Sequence, residues 1–362
     1  MSGLHFHPLR VREVRPDTDD AMVVSFDVPA ELRSRFDFQP GQYLTLRQVH
    51  DGQDLRRSYS ICAAAGESLR VGVRRVSGGA FSTWLHQVLK AGDTIDVMEP
   101  QGRFGAAALP SKKARHILCI AGGSGITPIL AIIKTVLAAE PGSGVTLLYG
   151  NRNAASTMFK EELEDLKNRH LTRLALHPVF SREQVDSPLN MGRLDRDKVT
   201  QFLRLIGPAQ VDQAFVCGPF AFNDEAETAL LAAGIDAARI HIERFGVPPS
   251  AADATLHAPQ AGDATTATIT VVRDGLTREI GFLPSDDSIL AAASRAGMDV
   301  PYSCKSGVCA TCRAKLIEGR VRMDRNFALE QADLDAGFIL TCQSHPLTDH
   351  VVVSFEIGRA HV

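Results

Sequence analysis

Apolar and polar residues alternate through much of the first third of the chain. Three segments show this pattern, at residues 22–28, 42–48 and 69–76. A period of two is typical of strands that bury one face, and Pro-Gly and Gly-Gly pairs between the segments indicate turns. Short strands at this spacing predict an antiparallel β-barrel over residues 1–110.

The pattern changes near residue 114, where short apolar runs begin to alternate with helix-like segments. The runs occupy residues 116–121, 145–150 and 214–217, and the helix-like segments occupy residues 128–139 and 159–170. Apolar runs of this length are typical of strands buried on both faces. The alternation predicts an α/β domain with a doubly wound parallel sheet over residues 111–246.

A proline- and alanine-rich segment, residues 247–266, contains no lysine, arginine or aromatic residue. Such a segment cannot bury enough apolar surface to offset the entropy of ordering it, so we predict a linker. Beyond it, two alternating segments flank an Asp-Gly pair and predict a β-hairpin. We expect a helix to follow, capped by Ser285 and ended by Gly297, in a third domain over residues 267–362.

Composition and charge argue against several classes of protein. The 362 residues include 42 acidic and 39 basic side chains, which gives a net charge of −3 at pH 7. This balance argues against nucleic acid as the main partner, because phosphate binding needs clustered positive charge. The first residues lack the apolar stretch of a signal peptide, and no apolar run is long enough to cross a membrane. We therefore expect a cytoplasmic protein with no membrane partner.

Four of the seven cysteines are spaced like the ligands of an iron–sulfur cluster. Cys304, Cys309 and Cys312 form a C-x4-C-x2-C motif, and Cys342 follows after 29 residues. This is the plant-type spacing for a [2Fe–2S] cluster held by four thiolates. The alternatives are a disulfide framework, which does not suit a chain without an export signal, and a zinc ribbon, which favours two C-x2-C pairs.

The remaining cysteines differ in their surroundings. Cys62 and Cys119 lie in apolar runs, where a lone cysteine is usually a small buried side chain. Cys217 instead ends a predicted strand, directly before Gly218 and Pro219, and it is a candidate site residue.

A glycine-rich loop joins the first predicted strand of the parallel sheet to its helix. The loop includes Gly122, Gly123, Gly125 and Thr127, and Pro128 takes the place of the last glycine of the usual G-x-G-x-x-G motif. Such a loop lets the backbone approach a pyrophosphate at the positive N-terminus of the helix. It predicts a dinucleotide site, although a plain strand-to-helix turn is also compatible with this sequence.

The residues after the next two strands of this sheet bear on the choice of nucleotide. NAD enzymes commonly carry an acidic residue there for the ribose 2′-hydroxyl. This chain has Arg152 and then Ser181 and Arg182 instead. We therefore predict NADPH, with NADH still possible if both arginines are only solvated strand-end residues.

Motifs in the first two domains resemble those of the ferredoxin–NADP reductase superfamily. Residues 57–60 (RSYS) resemble its R-x-Y-S motif, and residues 78–82 (GGAFS) resemble its G-G-x-x-S motif. The likeness continues in the glycine loop, in residues 217–219 and in residues 241–245. The resemblance implies an FAD-binding barrel, a Rossmann-like nucleotide domain and, for the cysteine-bearing domain, the α+β β-grasp fold of plant-type ferredoxins.

The resemblance also implies roles for individual residues of the barrel. Arg57 would contact the flavin phosphates. Tyr59 would pack on the isoalloxazine ring and Ser60 would bond near its N5 atom, which makes both catalytic residues. Gly79 and Ser82 would lie at the flavin pyrophosphate.

Further roles are implied at the nicotinamide end of the site. Cys217, Gly218 and Pro219 would lie beside the reacting ring, with Cys217 as a catalytic residue. Glu243 is implied as a further catalytic residue. The aromatic ring of Phe245 would cover the other face of the flavin.

Longer segments resemble the reductase subunits of ring epoxidases, including residues 55–62, 97–105, 242–245 and 302–312. The resemblance implies electron transfer from NADPH through FAD and the [2Fe–2S] cluster to the subunits of a di-iron oxygenase or epoxidase. A flavin is needed in that order because a hydride brings two electrons and the cluster accepts one. Two alternatives stay open: the reductase of another aromatic-ring or steroid oxygenase, and a redox-sensing or electron-carrier module.

Overall fold

The computed structural model describes residues 4–50, 52–247 and 257–356, which pack into two compact units. The larger unit contains His7–Leu55 and Tyr59–Phe245, and the smaller contains the described residues after Phe245 together with residues 4–6 and Arg56–Ser58. Each unit has buried apolar cores of its own. Among the described residues, no helix combines the length and the apolar character needed to cross a membrane.

The N-terminal domain of the larger unit is built on an antiparallel sheet. Its strands, within the described residues, are β1 (Phe6–Thr18), β2 (Ala21–Asp27), β3 (Tyr43–His50), β4 (Gln53–Ser60), β5 (Arg70–Arg74) and β6 (Thr94–Met98). They follow the order β4-β3-β6-β1-β2-β5. A bridge between Ile61 and Val71 and a 3.1 Å bond from the Cys62 N–H to the Arg70 carbonyl join the two ends of this sheet. The contact closes the sheet on itself, as the predicted barrel requires.

The barrel core consists of the apolar residues that alternate with polar ones along the strands. Leu44, Val71 and Val97 are fully buried in it. The helix α1 (Ala80–Val88) adds Phe81 and Leu85 from its apolar face. Period-two alternation therefore predicted the inward-facing positions of β2, β3 and β5 correctly, whereas β1, β4 and β6 were not predicted from the sequence.

The second domain is a parallel sheet covered by helices. In the part of the chain that is described, its strands are β7 (His116–Gly122), β8 (Gly144–Asn151), β9 (Leu174–Phe180), β10 (Gln213–Gly218) and β11 (Ile240–Arg244), and its helices are α2 (Ile126–Ala139), α3 (Lys160–Arg169), α4 (Arg196–Ile206) and α5 (Phe220–Ala232). The strand order is β11-β10-β7-β8-β9, and every pair is parallel. The predicted doubly wound sheet is confirmed.

Helix α2 connects the barrel and the parallel sheet through one continuous core. Ile129 and Ile133 of this helix share that core with Cys119 of β7 and with Val23 of β2. A helix that is apolar on all sides is buried on all sides, and α2 carries a single charged residue. Cys62 also lies in this core, so the predicted burial of Cys62 and Cys119 is confirmed.

The smaller unit is a mixed sheet with a helix packed on it. Its elements, as far as the chain is described, are β12 (Ala267–Arg273), β13 (Leu276–Phe282), α6 (Ile289–Arg295), β14 (Arg313–Glu318), β15 (Val321–Met323), α7 (Gln331–Asp335), β16 (Phe338–Leu340), β17 (Ser344–Pro346) and β18 (His350–Ser354). The main sheet has the order β13-β12-β18-β14-β16, and β15 pairs with β17 separately. Parallel pairing of the first strand β12 with the last strand β18 confirms the β-grasp fold.

The hairpin between β12 and β13 turns where the sequence predicts. Asp274 and Gly275 have φ angles of 53° and 75°, the left-handed values that a two-residue type I′ turn needs. Glycine reaches this region without strain, and aspartate tolerates it better than most residues.

The predicted cap of helix α6 is wrong by three positions. Ser288, not Ser285, is the N-cap residue, and its hydroxyl accepts the Ala291 N–H at 3.2 Å. Residues 283–286 form a separate turn, in which the Asp286 carboxylate accepts the Leu283 N–H at 2.8 Å and pairs with Arg295 at 2.7 Å. The aspartate therefore stabilises the turn before the helix and does not lie in the first helical turn. Gly297, with φ 72°, follows the helix end as predicted.

The second half of the predicted linker is part of the smaller unit and packs against its strands. Asp324 Oδ2 lies 2.7 Å from His257 Nδ1 and 2.8 Å from His345 Nε2. Asp263 pairs with Arg322 at 2.6 Å. These charged contacts hold residues 257–263 against β15 and β17, and the remaining linker residues 248–256 lie outside the described residues.

We expect Ser288→Ala to lower the free energy of unfolding of the smaller unit by about 1 kcal/mol, because it removes the hydroxyl that caps α6. The matched control is Ser285→Ala, an exposed serine before the helix. Urea unfolding of the full chain, followed by circular dichroism, measures both. Equal destabilisation by the two variants would contradict the observed cap.

Candidate functional site

The carboxyl ends of the parallel strands gather most of the residues predicted to bind the nucleotide. From β7 the chain proceeds to β8 and β9 on one side and later to β10 and β11 on the other. Ligands of such sheets bind at this switch point, outside the carboxyl ends of the strands. The glycine loop, residues 122–125, leaves β7 at that point and leads into α2.

The glycine loop packs directly on the end of β10. A Cβ atom at Gly125 would lie 2.0 Å from the Cys217 carbonyl oxygen, so only glycine fits there. A Cβ at Gly218 would lie 2.5 Å from the ring of Phe222. Thr127 is buried, and its hydroxyl donates to the Ser124 carbonyl at 3.0 Å, which holds the loop from within. The structure therefore brings together the two predicted nucleotide motifs, the loop and residues 217–219.

The predicted cations lie side by side at the ends of β8 and β9. The Arg182 N–H donates to the Arg152 carbonyl at 2.8 Å. The Arg152 guanidinium is half exposed and pairs with Asp20 of the barrel at 2.9 Å. Burial would raise the pKa of Asp20, but Arg74 and the hydrogen bonds to Thr18, Arg74 and Arg152 outweigh it and lower that pKa.

Sequence reasoning missed two charged residues at this edge. Glu183, next to Arg182, accepts the Ala154 N–H at 2.6 Å. Arg74 of β5 pairs with Asp20 at 3.1 Å and donates to the Ser156 carbonyl at 2.5 Å. A Cβ added at Gly123 would lie 3.0 Å from Arg74 Nη1, so this cation borders the glycine loop. The acidic residue was visible in the sequence, whereas the position of Arg74 depends on how the barrel packs against the sheet.

The predicted flavin residues lie on β4 and at the start of α1. The ring of Tyr59 stacks on Phe81 with centroids 6.3 Å apart, and the Arg57 side chain is exposed. Gly79 is the N-cap residue of α1, where the helix dipole favours negative charge. The Ser82 hydroxyl accepts the Val76 N–H at 3.0 Å and so fixes the turn before the helix. Within the larger unit, the stacked ring of Tyr59 and the positive N-terminus of α1 fit a flavin with its pyrophosphate.

Glu243 lies where the barrel meets the carboxyl edge of the sheet. It is beside Cys217 in the register of β11 and β10, and its Oε2 accepts a 3.3 Å hydrogen bond from the Ser60 hydroxyl. Burial raises the pKa of Glu243 to about 8, against the opposing effect of the Ser60 bond. Burial also raises the pKa of Cys217, and the nearby Glu243 raises it further. At neutral pH both side chains therefore carry their protons.

Asn223 of α5 supports the backbone of Glu243, and this residue was not predicted from the sequence. Its amide donates to the Glu243 carbonyl at 3.0 Å, and the side chain is fully buried. Phe245 lies just beyond β11 and is 46% exposed. The structure thus brings Ser60, Cys217 and Glu243 together, and it leaves Phe245 on the surface, with its predicted role over the flavin still a prediction.

The four predicted cluster ligands converge in the smaller unit. Cys312 and Cys342 are buried, and Cys304 and Cys309 are half-buried. The loop that carries them includes Lys305 and Ala310, with φ of 54° each, and Gly307, with φ 79°. Non-glycine residues enter this region only at a cost. The positive φ angles at these three residues therefore bend the loop sharply between Cys304 and Cys312.

The thiols interact in pairs. A hydrogen bond from Cys309 and bonds to the N–H groups of Ser306 and Val308 lower the pKa of Cys304 to about 5, although burial opposes them. The Ser306 nitrogen lies 3.4 Å from Cys304 Sγ. Cys342 in turn raises the pKa of Cys312 by hydrogen bonding and charge. Four converging thiols with backbone donors fit a [2Fe–2S] cluster.

Three protein-family models match the chain in the predicted order. An oxidoreductase FAD-binding domain matches residues 8–105, an oxidoreductase NAD-binding domain matches residues 119–228, and a 2Fe-2S iron-sulfur cluster binding domain matches residues 271–347. The matches select the iron–sulfur cluster over a zinc site for the cysteine-bearing domain.

Proteins of known function and solved structure resemble the chain over nearly its whole length. One subunit of 1,2-phenylacetyl-CoA epoxidase from Escherichia coli (strain K12) is 45% identical over 97% of this chain and 98% of its own. The ferredoxin reductase component of 3-ketosteroid-9-alpha-monooxygenase from Rhodococcus rhodochrous is 34% identical over 96% of both. The solved structure of phthalate dioxygenase reductase aligns with a TM-score of 0.59 and 25% identity, covering 96% of this chain and 98% of the other.

The fold, the site and these likenesses define an oxidoreductase with an FAD domain, a nicotinamide-nucleotide domain and a [2Fe–2S] ferredoxin domain. The chain belongs to the family of oxygenase reductase components that includes this 1,2-phenylacetyl-CoA epoxidase subunit. The resemblance drawn from short motifs is confirmed.

Glu243→Gln should make the stability of the protein less sensitive to pH. Because the pKa of Glu243 is raised from 4.5 to about 8, the folded protein keeps this proton over a range in which the unfolded chain loses it. Wild-type stability should therefore fall between those two pH values relative to the variant, by up to about 4 kcal/mol. Thermal unfolding at several pH values from about 5 to 9 measures the difference.

The matched control for this prediction is Glu225→Gln, an exposed residue of α5. It should run parallel to the wild type at every pH. A Glu243→Gln curve that also runs parallel to the wild type would show that Glu243 ionises normally.

Proposed function

We propose that this protein is the NADPH-dependent reductase component of a phenylacetyl-CoA epoxidase and delivers electrons to its di-iron oxygenase subunits. Electrons would pass in the order NADPH, FAD, [2Fe–2S] cluster, oxygenase. The observation that carries the proposal is the 45% identity to the Escherichia coli epoxidase protein over 97% of the chain. A thiol-rich cluster site suits a reducing compartment, so we place the protein in the cytoplasm.

The proposed flavin contacts rest on the family resemblance and on the chemistry of the side chains. Arg57 and the start of α1, with Gly79 and Ser82, would bind the phosphates, since a cation and a positive helix end both favour anions. The ring of Tyr59 would pack on the isoalloxazine. A bound flavin accepts two electrons together and releases them singly.

Ser60, Cys217 and Glu243 would act where the nicotinamide meets the flavin. Glu243 holds the Ser60 hydroxyl at 3.3 Å and so fixes the direction in which this hydroxyl can bond. Both Glu243 and Cys217 are kept neutral by burial, so neither would place a negative charge beside a bound nicotinamide. Phe245 would cover the second face of the flavin until the nucleotide arrives.

The nucleotide would lie along the carboxyl edge of the parallel sheet. Gly122, Gly123 and Gly125 would admit its pyrophosphate, with Thr127 holding the loop, and Gly218 and Pro219 would border the nicotinamide. Cys304, Cys309, Cys312 and Cys342 would hold the cluster. The domain limits of 1–110, 111–246 and 267–362, with a linker between the last two, remain part of the proposal, and each family match falls inside one of these domains.

NADPH is proposed because two cations lie at the ends of β8 and β9. Arg152 and Arg182 are both exposed there, and a 2′-phosphate needs such partners. One specific observation favours NADH instead. Glu183 lies beside Arg182, and Asp20 already pairs with Arg152.

The two nucleotides can be separated by substitution. We expect Arg182→Ala and Arg152→Ala each to lower kcat/KM for NADPH about 10- to 100-fold while changing that for NADH little, since one charge-assisted bond contributes about 1.5–3 kcal/mol. Steady-state reduction of a dye with each nucleotide measures this. Arg204→Ala, an exposed arginine of α4, is the charge-matched control.

The opposite outcome identifies NADH. In that outcome, both arginine variants keep the nucleotide preference of the wild type, and Glu183→Gln loses the ability to use NADH.

Removal of one cluster ligand should separate two activities. Cys309→Ser should abolish electron delivery to the oxygenase subunits, because three thiolates do not hold a plant-type cluster. Reduction of ferricyanide by NADPH should largely persist, since a dye can take electrons from the flavin directly. Product formed from phenylacetyl-CoA with the purified oxygenase subunits, and the dye rate, are the two readouts.

Flavin content of the variant is the control for folding of the larger unit. Equal loss of both activities at full flavin content would contradict the proposed electron order. Steady multiple turnover of the wild type with the dye also separates an enzyme from a redox sensor or passive carrier, which would stop after its own cofactors are reduced.

A further inference from the structure

Gln343 is a fully buried polar residue directly after the predicted cluster ligand Cys342. It lies in a short helical turn, residues 341–343, that connects β16 to β17. A buried amide is costly unless its groups are hydrogen-bonded, and a leucine of similar size would avoid that cost. The position of the amide therefore needs an explanation.

The amide nitrogen of Gln343 points at the ligand set. Nε2 lies 3.6 Å from Cys342 Sγ, 2.9 Å from the Cys342 carbonyl and 3.1 Å from the Lys305 carbonyl. The Lys305 carbonyl belongs to the loop that begins at Cys304. One side chain thus contacts both the first and the last segment that carry cluster cysteines, which lie 38 residues apart.

The ligand loop is packed against this side chain. Gly307 has φ 79°, and a Cβ atom there would lie 3.2 Å from Gln343 Cγ. The loop therefore approaches Gln343 closely, and the amide is held in one orientation. Within the described residues, Gln343 Oε1 is buried and has no hydrogen-bond partner. The two amide hydrogens thus face three acceptors, and one hydrogen is shared between the carbonyl oxygen and the sulfur of Cys342. The same orientation leaves the amide oxygen unsatisfied, at a cost of about 1–3 kcal/mol.

We propose that Gln343 donates a hydrogen bond to the Cys342 sulfur and thereby raises the reduction potential of the [2Fe–2S] cluster. Reduction adds one electron to the cluster, and part of the added charge resides on its sulfur ligands. A donor fixed beside a sulfur stabilises the reduced state more than the oxidised one. No proton or covalent bond is transferred. Gln343 is a positioning residue that acts through Cys342, and the proposal rests on the cluster ligands proposed above.

Two variants separate the donor from the shape of the side chain. Gln343→Leu keeps the approximate size and removes both donor hydrogens. Gln343→Glu keeps the shape and replaces the donor with an oxygen. Gln331→Leu, an exposed position of α7 in the same domain, is the matched control.

The measurement is a redox titration of the full-length holoprotein, followed by the electron paramagnetic resonance of the reduced cluster and the absorbance of the flavin. We expect a lower cluster potential in both Gln343 variants, and a larger decrease for Gln343→Glu because of its negative charge. The flavin potential, and both potentials in Gln331→Leu, should match the wild type. A cluster potential that is unchanged in Gln343→Leu, at full iron content, would overturn the proposal.

A second measurement on the wild type does not depend on the variants folding. Protein made by cell-free synthesis with glutamine labelled at the side-chain nitrogen with ¹⁵N should show a ¹⁵N hyperfine coupling to the reduced cluster. Absence of this coupling would overturn the proposal even where both variants lose their cluster. A wild-type protein without two irons per chain and a [2Fe–2S] signal would instead contradict the ligand set itself.

Discussion

The close contact between Gly125 and the end of β10 is the constraint on which the arrangement of the nucleotide site depends. With the Cys217 carbonyl only 2.0 Å from the place of a Cβ atom, the glycine loop and β10 pack backbone against backbone. This contact sets the position of Cys217 and, through strand pairing, that of Glu243. Glu243 in turn contacts Ser60 of the barrel at 3.3 Å. A side chain at position 125 would separate the loop from β10, whose neighbour β11 carries Glu243.

Burial of α2 explains how the barrel and the parallel sheet are held in the positions that bring Ser60 and Glu243 together. The helix is apolar on all sides, so it has to be covered both by the parallel sheet and by the barrel strand β2. The barrel and sheet therefore share one core, and charged contacts such as Arg70–Glu162 (2.5 Å) lie at its margin. Hydrophobic burial is not directional, whereas ion pairs such as Arg70–Glu162 fix how the barrel and the parallel-sheet domain are positioned against each other.

The site itself contains groups that weaken the fold. Glu243 is buried with its pKa raised to about 8, and the ligand loop holds two non-glycine residues at positive φ. Such unfavourable features are kept only where the surrounding structure is stable enough to hold them in place, and they are concentrated at functional sites. Here the surrounding structure is the shared core in one unit and the β-grasp sheet in the other.

Local patterns in the sequence determined three strands of the barrel (β2, β3 and β5) and three of the parallel sheet (β7, β8 and β10). They also determined the type I′ turn at Asp274-Gly275, the glycine loop and the spacing of the four cysteines. Each of these depends on residues close together in the chain, where backbone geometry and periodicity act directly. Helix α6 shows the limit even at short range: Ser285 and Ser288 are both plausible caps, and the choice was made by Asp286, which a partner nine residues later holds in the preceding turn.

Tertiary structure alone decided the contacts between distant segments. Ser60 and Glu243 lie 183 residues apart, and Arg152 meets Asp20 across 132 residues. No pattern in the sequence pairs them, because their separation is set by how α2 packs between the barrel and the sheet. The amide of Gln343 likewise has a role only because the chain returns to the Cys304 loop. The sequence thus determined which chemical groups are present and which elements carry them, and packing of the cores determined which groups meet.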